Sequence, residues 1–440
     1  MRGEAERVVG GAVAAPGEAP AVRVRRVEGA PVVSVRVWLD GGARVEGIPG
    51  LAYLTGRLLA EGTRRRSWRD IADHVEARGM MLRTFGSFES HGVAVDALAD
   101  DWQEALELAA ELVAEPAFPA ERTAWAARQV TAELDSLADR PEVRTAWAFL
   151  EQIYAGHRRA LPLQGTASAL ATLASADCAA FHLRALASGL RVTVAGVIDE
   201  EGVAARVEQL FATVGDATAE PLPTVPPAAP RPGGGRRVVE LPAARDEGDD
   251  GGEGEAEDAG QAHLYLGHLT IDRRHDDFEA LEVAAVVLGA GAGLTGRIPE
   301  RIREREGLAY TATAHTTAGA GLDPGRLVVY VGTGVATVAA AETAARQELA
   351  RLVADGPSAE EVGEAVAYLL GREPFHRETA RQWADLLAEA DHYRLPLDDP
   401  EWRRRRLERL TREEVAAAVA RHLRPDDLDV TIGRPTEEGR

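Results

Sequence analysis

The chain has 440 residues, 45% of them hydrophobic, and a formal net charge of −21. That length predicts two or three domains rather than one core, and the charge repels phosphate backbones, which excludes nucleic acid as a partner. No apolar run reaches the roughly 18 residues that a membrane span needs. The N-terminus lacks a signal-peptide stretch, and Cys178 stands alone, so the expectation is a cytoplasmic protein without membrane contact.

Taken in chain order, the first elements are an alternating strand from Val32 to Leu39 and a helical stretch from Leu51 to Ala60. A second helix runs from Trp68 to Arg78 and stops at Gly79, a natural helix-ending residue. Alternating segments from Leu82 to Phe88 and from Gly92 to Leu98 come next, then a helix from Trp102 to Ala114. Phe118-Pro119-Ala120-Glu121 opens another helix through Leu134. Residues 221–235 are rich in Pro and Gly and read as an extended linker. Residues 246–260 are almost wholly acidic or Gly, which predicts a disordered, solvated insert.

Beyond the linker the same order returns. A strand from Ala262 to Leu269 precedes a helix from Phe278 to Leu288, and a further helix stops at Gly307. Strands from Ala309 to His315 and from Arg326 to Gly332 follow, then a helix from Thr337 to Ala354. An internal duplication accounts for this agreement. The division is residues 1–220, a linker 221–235 and residues 236–440, the insert 246–260 lying within the second part. Hairpins rather than strict strand–helix–strand alternation predict an α+β fold: two homologous domains, each a mostly antiparallel sheet packed by helices.

The segment Gly50-Leu51-Ala52-Tyr53-Leu54-Thr55-Gly56-Arg57, ending in Gly62-Thr63, resembles a helix of the pitrilysin/insulinase-type (M16) zinc metallopeptidases. In that family it reads G-L-A-H-x-x-E-H-x-x-x-x-G-T. The family's two His bind zinc and the Glu between them is the general base. Tyr53, Gly56 and Arg57 stand at those three positions. Arg is a permanent cation, Gly has no carboxylate and a free phenol ionises only near pH 10, so none of them replaces its counterpart. The family's third ligand falls on Glu133, 76 residues beyond Arg57, and Glu133 is expected to pair with Arg57. The resemblance therefore implies no metal site at Tyr53, Gly56, Arg57 and Glu133, and no cofactor in this chain. His74, His91 and His157 are scattered and read as surface or core residues. Further matches are Gly156 to Thr166 and Arg191 to Gly196.

In the second copy, Leu288 to Arg297 and Arg303-Glu304-Arg305-Glu306-Gly307-Leu308-Ala309-Tyr310 are similar to the family's L-G-G-G-x-S-S-R-L … R-E-x-x-G-L-A-Y. The Gly-rich piece lacks the Lys and the strand–loop–helix order of a phosphate loop. By the resemblance, Arg303 and Tyr310 are the catalytic pair that orients a peptide and stabilises its oxyanion. The function implied is the zinc-less subunit of a heterodimer, completing the site of an H-x-x-E-H partner that carries the zinc, with a peptide as substrate. The alternative is a purely structural M16-like core subunit; the Arg303/Tyr310 spacing favours the first.

Overall fold

A computed structural model describes residues 21–212, 214, 219–231, 234–242, 260–291, 295–396, 399 and 401–436. The predicted disordered insert, apart from Gly260, lies outside the described residues. Among these, no helix is long and apolar enough to cross a membrane.

The chain groups into two units, Met1–Leu134 with Leu161–Pro226 and Glu373–Pro400, and Asp135–Ala160 with Pro227–Arg372 and Glu401–Arg440. The repeat divides the chain once, at the linker, whereas each unit takes segments from both halves.

The first unit is built on a sheet of β1 (Ala21–Arg26), β2 (Val32–Asp40), β3 (Met81–Gly86), β4 (Ser90–Leu98) and β5 (Leu190–Gly196), in the order β1-β5-β2-β4-β3. β1 runs parallel to β5 and the other three pairings are antiparallel. Around it stand α1 (Leu51–Leu58), α2 (Trp68–Glu76), α3 (Trp102–Ala114) and the first part of α4 (Ala120–Ala138). Alternation gives the sheet two unlike faces. One carries Val22, Val24, Val33, Val35, Val37, Val93, Val95, Val192 and Val194, all buried. The other carries Arg23, Arg25, Arg36, Arg191 and Thr193, also buried.

Buried guanidinium groups need partners, and here the helix Ala380–His392 supplies them. Arg23 meets Asp391 at 2.6 Å, Arg191 meets the same carboxylate at 2.9 Å, and Arg36 meets Asp385 at 2.5 Å. Arg25 lies 3.5 Å from the ring centroid of Trp383, and Thr193 donates to the Ala384 carbonyl at 2.8 Å.

The second unit repeats the plan with β6 (Arg236–Leu241), β7 (Gln261–Leu269), β8 (Ala309–Ala318), β9 (Arg326–Gly334) and β10 (Asp429–Pro435), ordered β6-β10-β7-β9-β8. Again one pairing is parallel and three are antiparallel, so both sheets have the expected character. Its polar face is covered by α5 (Pro141–Ile153). Phe149 stacks on Tyr265 with centroids 5.8 Å apart, Gln152 accepts from Thr431 at 3.0 Å, and the Tyr265 hydroxyl donates to the Glu142 carbonyl. A Cβ at Gly433 would sit 1.9 Å from Thr145 Oγ1, which is why the strand has no side chain there.

Three expectations differ in detail. The helix from Phe278 ends at Ala285 and widens into a π-type turn over Val286–Ala290, where Gly289 has φ 144°. The first half of the linker is pinned: Leu222 donates to Ser188 Oγ at 2.8 Å and Arg44 donates to the Val225 carbonyl at 2.6 Å. The strands β1, β6 and β10 and the helix Ala380–His392 went unread in the sequence.

Candidate functional site

α1 begins at Gly50, whose φ of 95° suits a residue without Cβ. The Glu46 carboxylate accepts from the backbone N–H of Gly50 at 2.8 Å and of Ala52 at 2.7 Å, satisfying two open donors of the helix start. Leu51, Leu54 and Leu58 are buried, and this fixes the other face of the helix. Tyr53, Ala60 and Arg57 therefore line an open cleft of about 490 Å³ together with Glu61, Leu82, Thr84, Phe85 and Gly86.

Within it, Arg57 donates through Nη1 to Glu133 Oε1, as expected from sequence. Tyr53 donates its hydroxyl to Glu133 Oε2 at 3.3 Å. Burial opposes the Arg57 charge, but Glu133 and Tyr53 more than offset this and hold the guanidinium above its ordinary value. Both oxygens of the one carboxylate are thus committed. Gly56 faces the sheet backbone: a Cβ there would sit 2.2 Å from the Phe85 carbonyl oxygen. These four residues do not fit zinc, because a permanent cation holds the carboxylate and the position of the base has no room for a side chain.

In the second unit, Arg303 lies in the π-type turn Glu300–Arg305, which ends at Glu306 before Gly307 with φ 61°. Tyr310 is the second residue of β8, an edge strand. The β8–β9 register shifts between Ala309 and Thr311, so Tyr310 is an extra residue on a bulge, a device that re-aims a side chain. Its side chain is 83% exposed. Arg303 reaches over it, with Cζ 5.2 Å from the ring centroid, and its Nε is 3.2 Å from Glu304 Oε1. The structure thus brings Arg303 and Tyr310 together, with the phenol hydroxyl and guanidinium available to a carbonyl acceptor.

His91 and His157 are structural. His91 donates from Nδ1 to the Gly41 carbonyl at 2.7 Å, and His157 Nδ1 accepts from the Arg159 backbone at 3.2 Å. His74 lies beside Arg78 at 3.2 Å. One grouping escaped the sequence reading, that of His275, Asp277 and His422. His422 lies 145 residues beyond Asp277, and no local spacing announces the group.

The family profile described as Insulinase (Peptidase family M16) matches residues 22–167, and that described as Peptidase M16 inactive domain matches residues 186–369. An uncharacterized zinc protease of Mycobacterium tuberculosis is 29% identical over 403 residues, covering 89% of this chain and 85% of that protein. One of Streptomyces coelicolor is 26% identical over 344 residues, covering 76% and 70%. A Pseudomonas fluorescens structure titled peptidase M16 inactive domain superposes with a TM-score of 0.86 at 24% identity, covering 98% of each chain. A Helicobacter pylori protease gives 0.84 at 15%, covering 98% of this chain and all of that one. Both halves of the family's architecture are therefore present, and the chain belongs to the M16 peptidase family.

Proposed function

We propose that this chain is the subunit without a catalytic zinc in a two-chain, cytoplasmic M16 peptidase, lending Arg303 and Tyr310 to the site of an H-x-x-E-H partner. The observation that carries this reading is an exposed Tyr310, bulged out of an edge strand beneath Arg303, in a chain whose own ligand position is filled by Arg57. The partner's H-x-x-E-H residues would hold the metal, which would supply an activated water. The Tyr310 hydroxyl donates to the oxygen that becomes negative as the peptide carbonyl is attacked, and Arg303 holds a backbone acceptor of the peptide. A scaffold subunit has no use for an exposed phenol at a bulge, and this favours the enzymatic role.

The test is peptide cleavage by the chain combined with an H-x-x-E-H M16 chain. Tyr310→Phe should lower kcat by about tenfold to a thousandfold while the pair stays assembled, because the contact is made mainly in the transition state. Arg303→Ala should also raise KM. Full activity of both variants in an assembled pair would refute the reading. Fractionation of the native host, with the chain found outside the cytoplasm, would remove the proposed location.

A further inference from the structure

The second unit carries a cluster with metal-ligand chemistry that neither the repeat nor the family motifs point to. His275 lies just before the helix Phe278–Ala285, Asp277 is the residue capping that helix, and His422 ends the helix Arg412–His422. The two helices pack against each other through a common core that includes Leu281, Ala284, Val415 and Val419, all fully buried. The backbones bearing the three side chains are therefore set by the fold rather than by a loose loop.

His422 Nε2 lies 2.7 Å from Asp277 Oδ2, and His275 Nδ1 lies 3.9 Å from the same oxygen. The two rings meet edge to face, with centroids 4.8 Å apart and planes at 86°. One ligand atom from each residue lies within 4.8 Å of the other two. We propose that His275, Asp277 and His422 form a binding site for a divalent transition-metal ion of the zinc class. Two imidazoles and one carboxylate are the donor set zinc takes, with water completing the shell, and all-oxygen ions such as calcium or magnesium are disfavoured by the nitrogens.

The neighbouring groups permit it. Asp277 Oδ2 takes both His422 and Arg421. Arg421 shares Oδ2 but its side chain is 57% exposed, so it can turn to the other oxygen or to solvent. The Asp277 backbone N–H donates to His275 Nδ1 at 3.1 Å, which keeps that exposed ring beside the carboxylate, and a ring rotation presents Nε2 instead. The Asp–His pair and the hydrogen bond at the helix start thus hold both imidazoles beside one carboxylate oxygen.

The experiment is calorimetric titration of the full chain, stripped with chelator, with zinc ion alone. The expected result is one zinc per chain, with affinity falling on the order of a hundredfold or more in His275→Ala/His422→Gln, since even an outer partner of a ligand is worth 10–100-fold. Glu133→Gln should leave the binding unchanged, which separates this site from the α1 position and from the subunit proposal. Added zinc should also raise the melting temperature of the parent chain and not of the double variant. Should the double variant fail to fold, His275→Ala alone, at the exposed ring, gives the same reading. Absence of binding at millimolar zinc, or equal binding by a folded His275 variant, would overturn the proposal.

Discussion

The Arg57 guanidinium sits on the Glu133 carboxylate, joining α1 to α4. On the proposed reading this is the loss of the zinc motif made physical: the one acid of the motif is occupied by a charge that never leaves it.

Gly56 makes this loss hard to reverse. Ala in place of Gly inside a helix ordinarily gains about 1 kcal/mol. Here the new Cβ would meet the Phe85 carbonyl at 2.2 Å and its carbon at 2.6 Å, and overpacking costs about 1–3 kcal/mol. Gly56→Ala is expected to lower stability by about 1 kcal/mol or more in urea unfolding. For the same reason the triple change Tyr53→His, Gly56→Glu, Arg57→His should not yield a tight zinc site at α1, checked by metal analysis against the His275/His422 double variant.

Asp391 is 1% exposed and takes Arg23 and Arg191. Asp391→Ala should cost about 3–5 kcal/mol, because it leaves buried guanidinium charge without its partner. Denaturant midpoints would check this; a loss below about 1 kcal/mol would mean that the arginines find other acceptors.

His268 is held as a neutral tautomer. Its Nδ1 donates to the Leu269 carbonyl at 2.9 Å and its Nε2 accepts from the Arg424 backbone N–H at 3.0 Å. Burial, the largest influence, pushes it down to about 4. A lowered His value gives stability that is present above pH 6.5 and lost as pH falls toward 4. The full loss is about 3 kcal/mol on the scale of 1.36 kcal/mol per unit. Stability measured at pH 7 and pH 5 should converge in His268→Gln relative to the parent chain.

His392 behaves oppositely. Burial opposes its charge, but Asp40 at 3.3 Å and Glu89 at 3.2 Å outweigh it, even with Arg191 nearby, and the value is raised. Tyr393 donates to the same Glu89 oxygen at 2.9 Å. A raised His value gives stability that is complete below about pH 6.5 and lost as pH climbs through the folded value. The parent chain should therefore weaken between pH 6 and pH 9 more than His392→Gln does.

Much of the sheet–helix order could be read from alternation and helix stops, since Val33, Val35, Val37 and Leu39, and Val93, Val95 and Ala97, put large or apolar side chains on one face in regular steps. β1 escaped because Arg23 and Arg25 occupy its inward positions, and arginine reads as exposed until its carboxylate and aromatic partners, more than 350 residues away, are known. The Arg57–Glu133 contact was readable because one motif spacing links them. The approach of Gly56 to Phe85 and the meeting of His275 with His422 were not, since both depend on how helices seat in the fold.

Arg23 finds its carboxylate 368 residues further along the chain. The polar face of the first sheet therefore has no cover until the helix Ala380–His392 has left the ribosome, and α5 waits from residue 141 for strands that end at residue 435. Such contacts carry a high loop-closure cost and fold late. Cutting the gene at the linker would give two pieces that each lack one covering helix and keep one with nothing to cover. Expressed alone they should aggregate, and expressed together they should complement each other.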